Sequence, residues 1–278
     1  MKKILIPTDF SKNAWHALNY ALTILNKHFC EFYLLNAYEV SDTNLKSELI
    51  KILSPGKVDN LRNAAHEGLE KLSEMLKLKN NAYHRFKTMA VEGNPVEVIQ
   101  RVVDQEQIEL IIMGSKGATR SRKVAFGTVA LYVMESVRNC PSLVIPETAE
   151  LKKPKEIVFA TGLKDDIKTK ELDHLKEIAY IDNANIAVLH IAEKKDINDD
   201  QRAQLQVIET ALRELDYSTH VLEHDSILEG IRLFTESRNS DIIAFFNSKH
   251  NFFGNVFIQP LIKGLNFYTE VPLLVLHS

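Results

Sequence analysis

Short apolar runs closed by turn residues alternate along this chain with longer stretches whose apolar positions recur every three or four residues. Residues 3–6 lead into Pro7-Thr8-Asp9, a run too short for a helix that reads as a central strand. Ser11 then offers an N-cap, and Ala14, Leu18, Ala21, Leu22 and Leu25 form one stripe of the following helix. A second strand covers residues 32–37. A long amphipathic helix over about residues 58–78 carries Leu61, Ala65, Leu69, Leu72 and Leu76 on one side. Residues 86–91 make a third strand, followed by Gly93-Asn94-Pro95; Asn94 caps a helix there and Pro95 takes its first position, where a missing N–H costs nothing. Val96, Ile99, Val102 and Val103 are that helix's buried stripe. A fourth strand at 110–113, a glycine-containing loop, a helix from 127 to about 137 and a fifth strand at 142–145 complete the unit. Strands alternating with helices across short loops predict a parallel sheet covered on both faces.

The rhythm pauses over the polar residues 147–153, which read as a linker, and then begins again. Ile157-Val-Phe-Ala-Thr-Gly162 matches Ile4-Leu-Ile-Pro-Thr-Asp9, and residues 187–192 match residues 33–38. Residues 226–247 set without a gap on residues 93–114, and Val271-Pro-Leu-Leu-Val-Leu276 mirrors Cys140-Pro-Ser-Leu-Val-Ile145. One unit is written twice, so the expected domains are residues 1–147 and 154–278. A chain of 278 residues is comfortable for two such domains.

A formal net charge of −3 gives no footing for a nucleic-acid binder or a polybasic membrane protein. Counted by half, residues 1–150 carry +2 and residues 151–278 carry −5, so the anion-friendly half is the first. Cys30 and Cys140 suggest two free thiols in a reducing compartment rather than a disulfide scaffold. Met1 runs directly into a strand and no apolar run approaches membrane-spanning length, so the expectation is a cytoplasmic protein.

Candidate chemistry concentrates in residues 111–129. Between Gly114 and Thr128 lie Lys116, Arg120, Arg122 and Lys123 and no acid. Gly114, Gly117 and Gly127 let backbone N–H groups approach an anion, and the next helix presents its unpaired N–H groups and positive dipole end at the same place. In the second unit Gly162 stands for Asp9, Asn247 for Gly114 and His250 for Gly117, while Ser248 and Lys249 retain Ser115 and Lys116. Ile258-Gln259 stand where Gly127-Thr128 stood. Each lost glycine puts a β-carbon where backbone would meet phosphate, so the second unit is not expected to bind in the same way.

The spacing Gly, two residues, Gly, nine residues, Gly-Thr resembles the nucleotide-binding motif of the universal stress protein family, and the resemblance extends over both halves. It implies two tandem Rossmann-like domains, of the adenine nucleotide alpha hydrolase-like kind, each a five-stranded parallel sheet with helices on both faces. It also implies ATP as the ligand, with AMP or ADP left open, and Mg²⁺ bridging the phosphates, although no carboxylate stands near the loop in sequence. Carried over by position, Pro7, Thr8, Asp9 and Ala37 line the adenosine pocket and Met113 abuts the nucleoside. Gly114, Gly117, Gly127, Thr128 and Val129 wrap the phosphates, with Lys116 and Arg120 neutralising charge. Where the family usually has His at the end of the second strand, the first copy has Asn36; the second has His190. Relatives pair through their last strand, so residues 142–145 and 273–276 are expected to join the halves as an intramolecular pseudo-dimer; a homodimer of chains is left open.

The function so implied is a cytoplasmic stress-response regulator, not an enzyme, with an unidentified regulatory protein as partner. An ATP-consuming nucleotidyl or phosphoryl transferase and a nucleotide-independent scaffold stand as alternatives. The chain has no Gly-x-x-x-x-Gly-Lys-Ser/Thr loop and no Gly-x-Ser-x-Gly elbow. His220 and His224 fall in a strand, with no Cys or carboxylate at metal-ligand spacing.

Overall fold

The structure is a computed structural model that describes residues 1–39, 55–117, 126–163, 167–192, 197–247 and 270–277. The first half runs β1 (Lys2–Pro7), α1 (Lys12–Ile24), β2 (Cys30–Tyr38), α2 (Pro55–Lys77), β3 (His84–Glu92), α3 (Pro95–Glu106), β4 (Leu110–Gly114), α4 (Thr128–Ser136) and β5 (Ser142–Ile145). The second runs β6 (Glu156–Ala160), a 3₁₀ turn (Thr169–Leu172), α5 (Asp173–Tyr180), β7 (Asn185–Ala192), α6 (Asp199–Leu212), β8 (Tyr217–Glu223), α7 (Ile227–Arg238), β9 (Ile242–Asn247) and β10 (Leu273–His277).

The ten strands of the described residues belong to one sheet in the order β3-β2-β1-β4-β5-β10-β9-β6-β7-β8. Read outward from its centre, each half has the same order. Among the described residues every pairing is parallel but one: β5 and β10 run antiparallel, with Leu273 opposite Val144 and Val275 opposite Ser142. The last strands therefore cover each other's edges, which would otherwise be exposed apolar templates. Alternate residues of each strand feed two cores. Ile4 and Ile6 pack with α1, α2, α5 and α6 on one face, whereas Leu5 packs with α3, α4 and α7 on the other.

Local chemistry sets the boundaries. Ser11 caps α1 by accepting from the Ala14 N–H at 3.2 Å. Asn94 caps α3 by accepting from Val96 and Glu97, with Pro95 in its first turn. The connection between halves is tied down rather than loose. Ala149 is buried and its carbonyl lies 2.8 Å from His16 Nε2, while Lys152 pairs with Asp241 at 3.0 Å and Lys153 with Asp182 at 3.1 Å.

The internal repeat is displaced by one residue from the gapless match of 226–247 on 93–114. The caps Asn94 and Ser226 correspond, as do the left-handed helix ends Gln107 and Asn239. Strand pairing agrees: Gly114 faces Ile145 in β5, and the matching step of β10 and β9 sets Leu276 against Phe246. Phe246, not Asn247, therefore occupies the place of Gly114, and Asn247 that of Ser115. Compositional similarity of two apolar strands fixed the alignment only to within a residue; hydrogen-bond register resolves it.

Candidate functional site

The carboxyl ends of β1, β2 and β4 and the first turns of α3 and α4 enclose a cavity of about 280 Å³. It lies where strand order reverses about β1, the usual crevice of an open parallel sheet. Pro7, Thr8, Asp9, Ala37, Met113, Gly114, Lys116, Gly117, Gly127, Thr128 and Val129 all line it. Arg120 lies outside the described residues. The sequence missed Leu35, Pro95 and Ile99, which with Ala37 and Met113 make one side apolar, and Ala14, Ser115 and Ala130. Ile99 carried a signal, since it belongs to the buried stripe of the helix that Pro95 begins beside the β3 turn.

The floor is held by hydrogen bonds from two strands. Thr8 N–H donates to the Leu35 carbonyl at 2.8 Å, and Thr8 Oγ1 accepts from Phe10 N–H at 3.0 Å. Asn36 Nδ2 donates to the Thr8 carbonyl at 2.8 Å. In the second half His190 Nδ1 contacts the Thr161 carbonyl at 2.9 Å, and Thr161 Oγ1 accepts from Leu163 N–H at 3.1 Å. Asn36 and His190 thus do the same structural job, steadying a carbonyl at the end of the first strand. Asp9 does not cap α1. Its Oδ1 accepts from Ser11 N–H at 3.1 Å, and Ser11 is the cap.

The three glycines differ in what they accommodate. A β-carbon on Gly114 would come within 2.9 Å of Asn13 Nδ2 and 3.1 Å of the Asn13 backbone, so this glycine admits helix α1. One on Gly117 would lie 2.7 Å from Asp9 Oδ2. The fold thereby brings a carboxylate to the loop although none is near in sequence. On Gly127 the nearest atoms would be at 3.5 Å, an ordinary contact. None of the three has a positive φ; among the glycines described, Gly93 does. Asn13 is buried and clamps the loop, its Nδ2 lying 3.4 Å from Ser115 Oγ and 3.2 Å from the Lys116 carbonyl.

Gly127 occupies the N-cap of α4, and among the described residues no side chain caps that helix. Its own N–H donates to the Ser115 carbonyl at 2.7 Å, which closes the loop behind it. Thr128, Val129 and Ala130, the first residues of α4, face the cavity. A helix start without a side-chain cap leaves first-turn N–H groups and the positive dipole end to whatever fills the space.

The second half has lost the small residue at the equivalent of Ala37. Ile191 stands there, buried against Gly230 of α7, whose added β-carbon would meet it at 3.0 Å; Gly230 occupies the place of Val98. Bulk has moved from helix to strand end. Asn247 has taken a bond across the seam, its Nδ2 donating to the Met134 carbonyl at 2.8 Å, while Arg138 Nη1 donates to the Asn247 carbonyl at 3.3 Å. The sequence matches at 248–250 and 258–259 lie outside the described residues. His220 Nε2 lies 2.9 Å from Ser218 Oγ, and His224 Nδ1 accepts from Ser226 N–H at 2.9 Å, so each has a local partner. Among the described residues no group of three His, Cys, Asp or Glu is placed to hold a metal ion, and no helix is long and apolar enough to cross a membrane. Cys30 and Cys140 are both free and buried, and burial pushes their thiols up to about 11 and about 12.

A mostly parallel sheet with helices on both faces and a cavity at its topological switch defines a Rossmann-like α/β protein, repeated in tandem. The chain belongs to the universal stress protein family, whose model matches residues 1–146. Two universal stress proteins of Methanocaldococcus jannaschii are similar to it. One is 29% identical over 164 residues, covering 56% of this chain and 84% of the relative. The other is 28% identical over 153 residues, covering 52% and 94%. A solved universal stress protein of Archaeoglobus fulgidus has the same fold along 99% of this chain and 96% of its own, with a TM-score of 0.71 at 18% identity.

Proposed function

We propose that the half comprising residues 1–147 binds an adenine nucleotide, ATP in the first instance, and that residues 154–278 form a partner domain that does not. The observation that carries this reading is the start of α4, without a side-chain cap, opening on a cavity apolar on one side and polar on the other. The apolar side, Leu35, Ala37, Pro95, Ile99 and Met113, suits a flat base. Asp9 suits ribose hydroxyls or the adenine amine, and Thr128 with the backbone around Gly117 and Gly127 suits phosphates. Lys116 supplies charge, with Arg120 expected to add to it. The Thr128 hydroxyl is a hard oxygen donor, so Mg²⁺, where it accompanies the phosphates, would be held by them and by Thr128. When bound, the ion would neutralise phosphate charge.

Among the described residues, Asp9 and Lys116 are the charged side chains lining the cavity. A transferase needs a positioned base near a second substrate, so binding without sustained turnover fits better. The protein then acts as a nucleotide-responsive stress regulator in the cytoplasm, presenting a changed surface to a regulatory protein partner when the cleft fills. Thermal unfolding with and without Mg-ATP tests this. At ~100 times its dissociation constant the ligand should stabilise the chain by about 2.7 kcal/mol. An unchanged melting temperature at millimolar ATP refutes the proposal.

A further inference from the structure

Phe10 departs from what its residue type prefers. It sits at φ 61°, in the left-handed region that a bulky side chain rarely enters, and its ring is nearly half exposed. Such strain persists where the surroundings hold it. Here the Phe10 N–H donates to Thr8 Oγ1 at 3.0 Å, and the ring meets Gly68, in the middle of α2, where glycine is a poor helix former. A β-carbon on Gly68 would lie 2.5 Å from the Phe10 Cζ and 2.6 Å from Cε2. The ring is thus seated on bare helix backbone. The neighbouring residue, Asp9, meets the second glycine in the series, with Oδ2 2.7 Å from where a Gly117 β-carbon would be. Contacts therefore run unbroken from α2 through Phe10 and Asp9 to the loop after β4.

The second half repeats the backbone without the chain of contacts. Leu163, the counterpart of Phe10, also has a positive φ of 53°, but it is fully buried and follows Gly162, which has no carboxylate to position. The left-handed turn alone is a property of the fold; the exposed ring seated on a glycine accompanies the half that keeps the aspartate.

We infer that Phe10 is a positioning residue for Asp9, seated on Gly68, so that helix α2 sets how tightly the first cleft holds its nucleotide. This rests on the nucleotide reading above. The test is calorimetric titration of the full chain with Mg-ATP. Four chains are compared, the wild type, Phe10→Gly, Gly68→Ala and the double variant, and all four again with Asp9→Ala. Phe10→Gly keeps the left-handed backbone accessible and removes only the ring. Each single change should raise Kd by about tenfold, the scale of one displaced charge-assisted hydrogen bond. The double variant should bind no worse than the weaker single one, and in the Asp9→Ala background neither should matter. Ordinarily alanine for glycine in a helix raises stability. Gly68→Ala with a higher melting temperature and wild-type affinity overturns the inference, as does an equal loss in the Asp9→Ala background. Should Gly68→Ala fail to fold, Phe10→Gly with undiminished affinity overturns it alone. A wild-type chain that takes up no ATP refutes the nucleotide reading itself, and the positioning role with it; that outcome is distinct from binding that ignores Gly68.

Discussion

At the scale of single residues, the loop glycines show how far sequence reasoning reaches. Their spacing located the cavity, but the reason for each lies in its neighbour: Gly114 makes room for Asn13 of α1, and Gly117 for the Asp9 carboxylate. Those neighbours are about 100 residues away in the chain, so no local pattern could name them. Substituting Gly114 consequently tests the packing of α1 rather than a ligand. Ala37 is more informative. Ile191 fills the same place in the second half against Gly230. Ala37→Ile paired with Val98→Gly should reproduce that packing, leave the melting temperature within a few degrees and weaken ATP binding by tenfold or more, on the order of the cost of overpacking a filled site. Retained affinity, read by the same titration, would mean the base does not lie beside Ala37.

At the scale of elements, the strands and helices were legible because their apolar periodicities are clean, and their caps came with them: Ser11, Asn94 and Pro95 do what their residue types suggest. The register of the repeat was not legible. Neighbouring apolar residues in β4 and β9 are interchangeable to a pattern search; the helix caps and the pairing of β9 with β10 settle it. Helix α4 supports a prediction with opposed signs. Gly127 has φ −73° and ψ 161°, a conformation open to any residue, and its β-carbon would have ordinary room. Gly127→Asp should cap α4 and raise the stability of the ligand-free chain by about a few tenths of a kcal/mol, the difference between aspartate and glycine at an N-cap. The same carboxylate would repel phosphate, so the added stability from ATP should vanish. Denaturant melts with and without nucleotide read both effects; a variant that keeps its response to ATP places the phosphates elsewhere.

At the scale of the whole molecule, the two halves meet along β5 and β10, and a histidine lies at that seam. His277 pairs with Asn247 across the strands, and burial, reinforced by the nearby Arg138 charge, pushes its pKa down to about 4. Its proton is bound less readily in the folded than in the unfolded chain. The stability it permits is complete above the ordinary histidine value near pH 6.5 and is lost as pH falls toward 4, by up to about 3 kcal/mol. Glu177 is also held low, to about 2, chiefly by His174 beside it and by Lys2, so its contribution is lost lower, as pH falls from about 4.5 toward 2. Replacing His277 by Leu should flatten the melting temperature between pH 6.5 and 4 relative to the wild type. An unchanged profile would assign the acid sensitivity to other groups.

The antiparallel pairing of Leu273–His277 with Ser142–Ile145 joins two halves of one polypeptide rather than two molecules. Their association is unimolecular, so dilution to nanomolar concentrations cannot part them, whereas an assembly of separate subunits would come apart by mass action. Covalent linkage also frees one half to diverge while the other is retained, something identical subunits made from one sequence cannot do. One competent cleft per polypeptide, as proposed above, predicts hyperbolic uptake of ATP, without cooperativity and saturating at an equimolar ratio at every protein concentration.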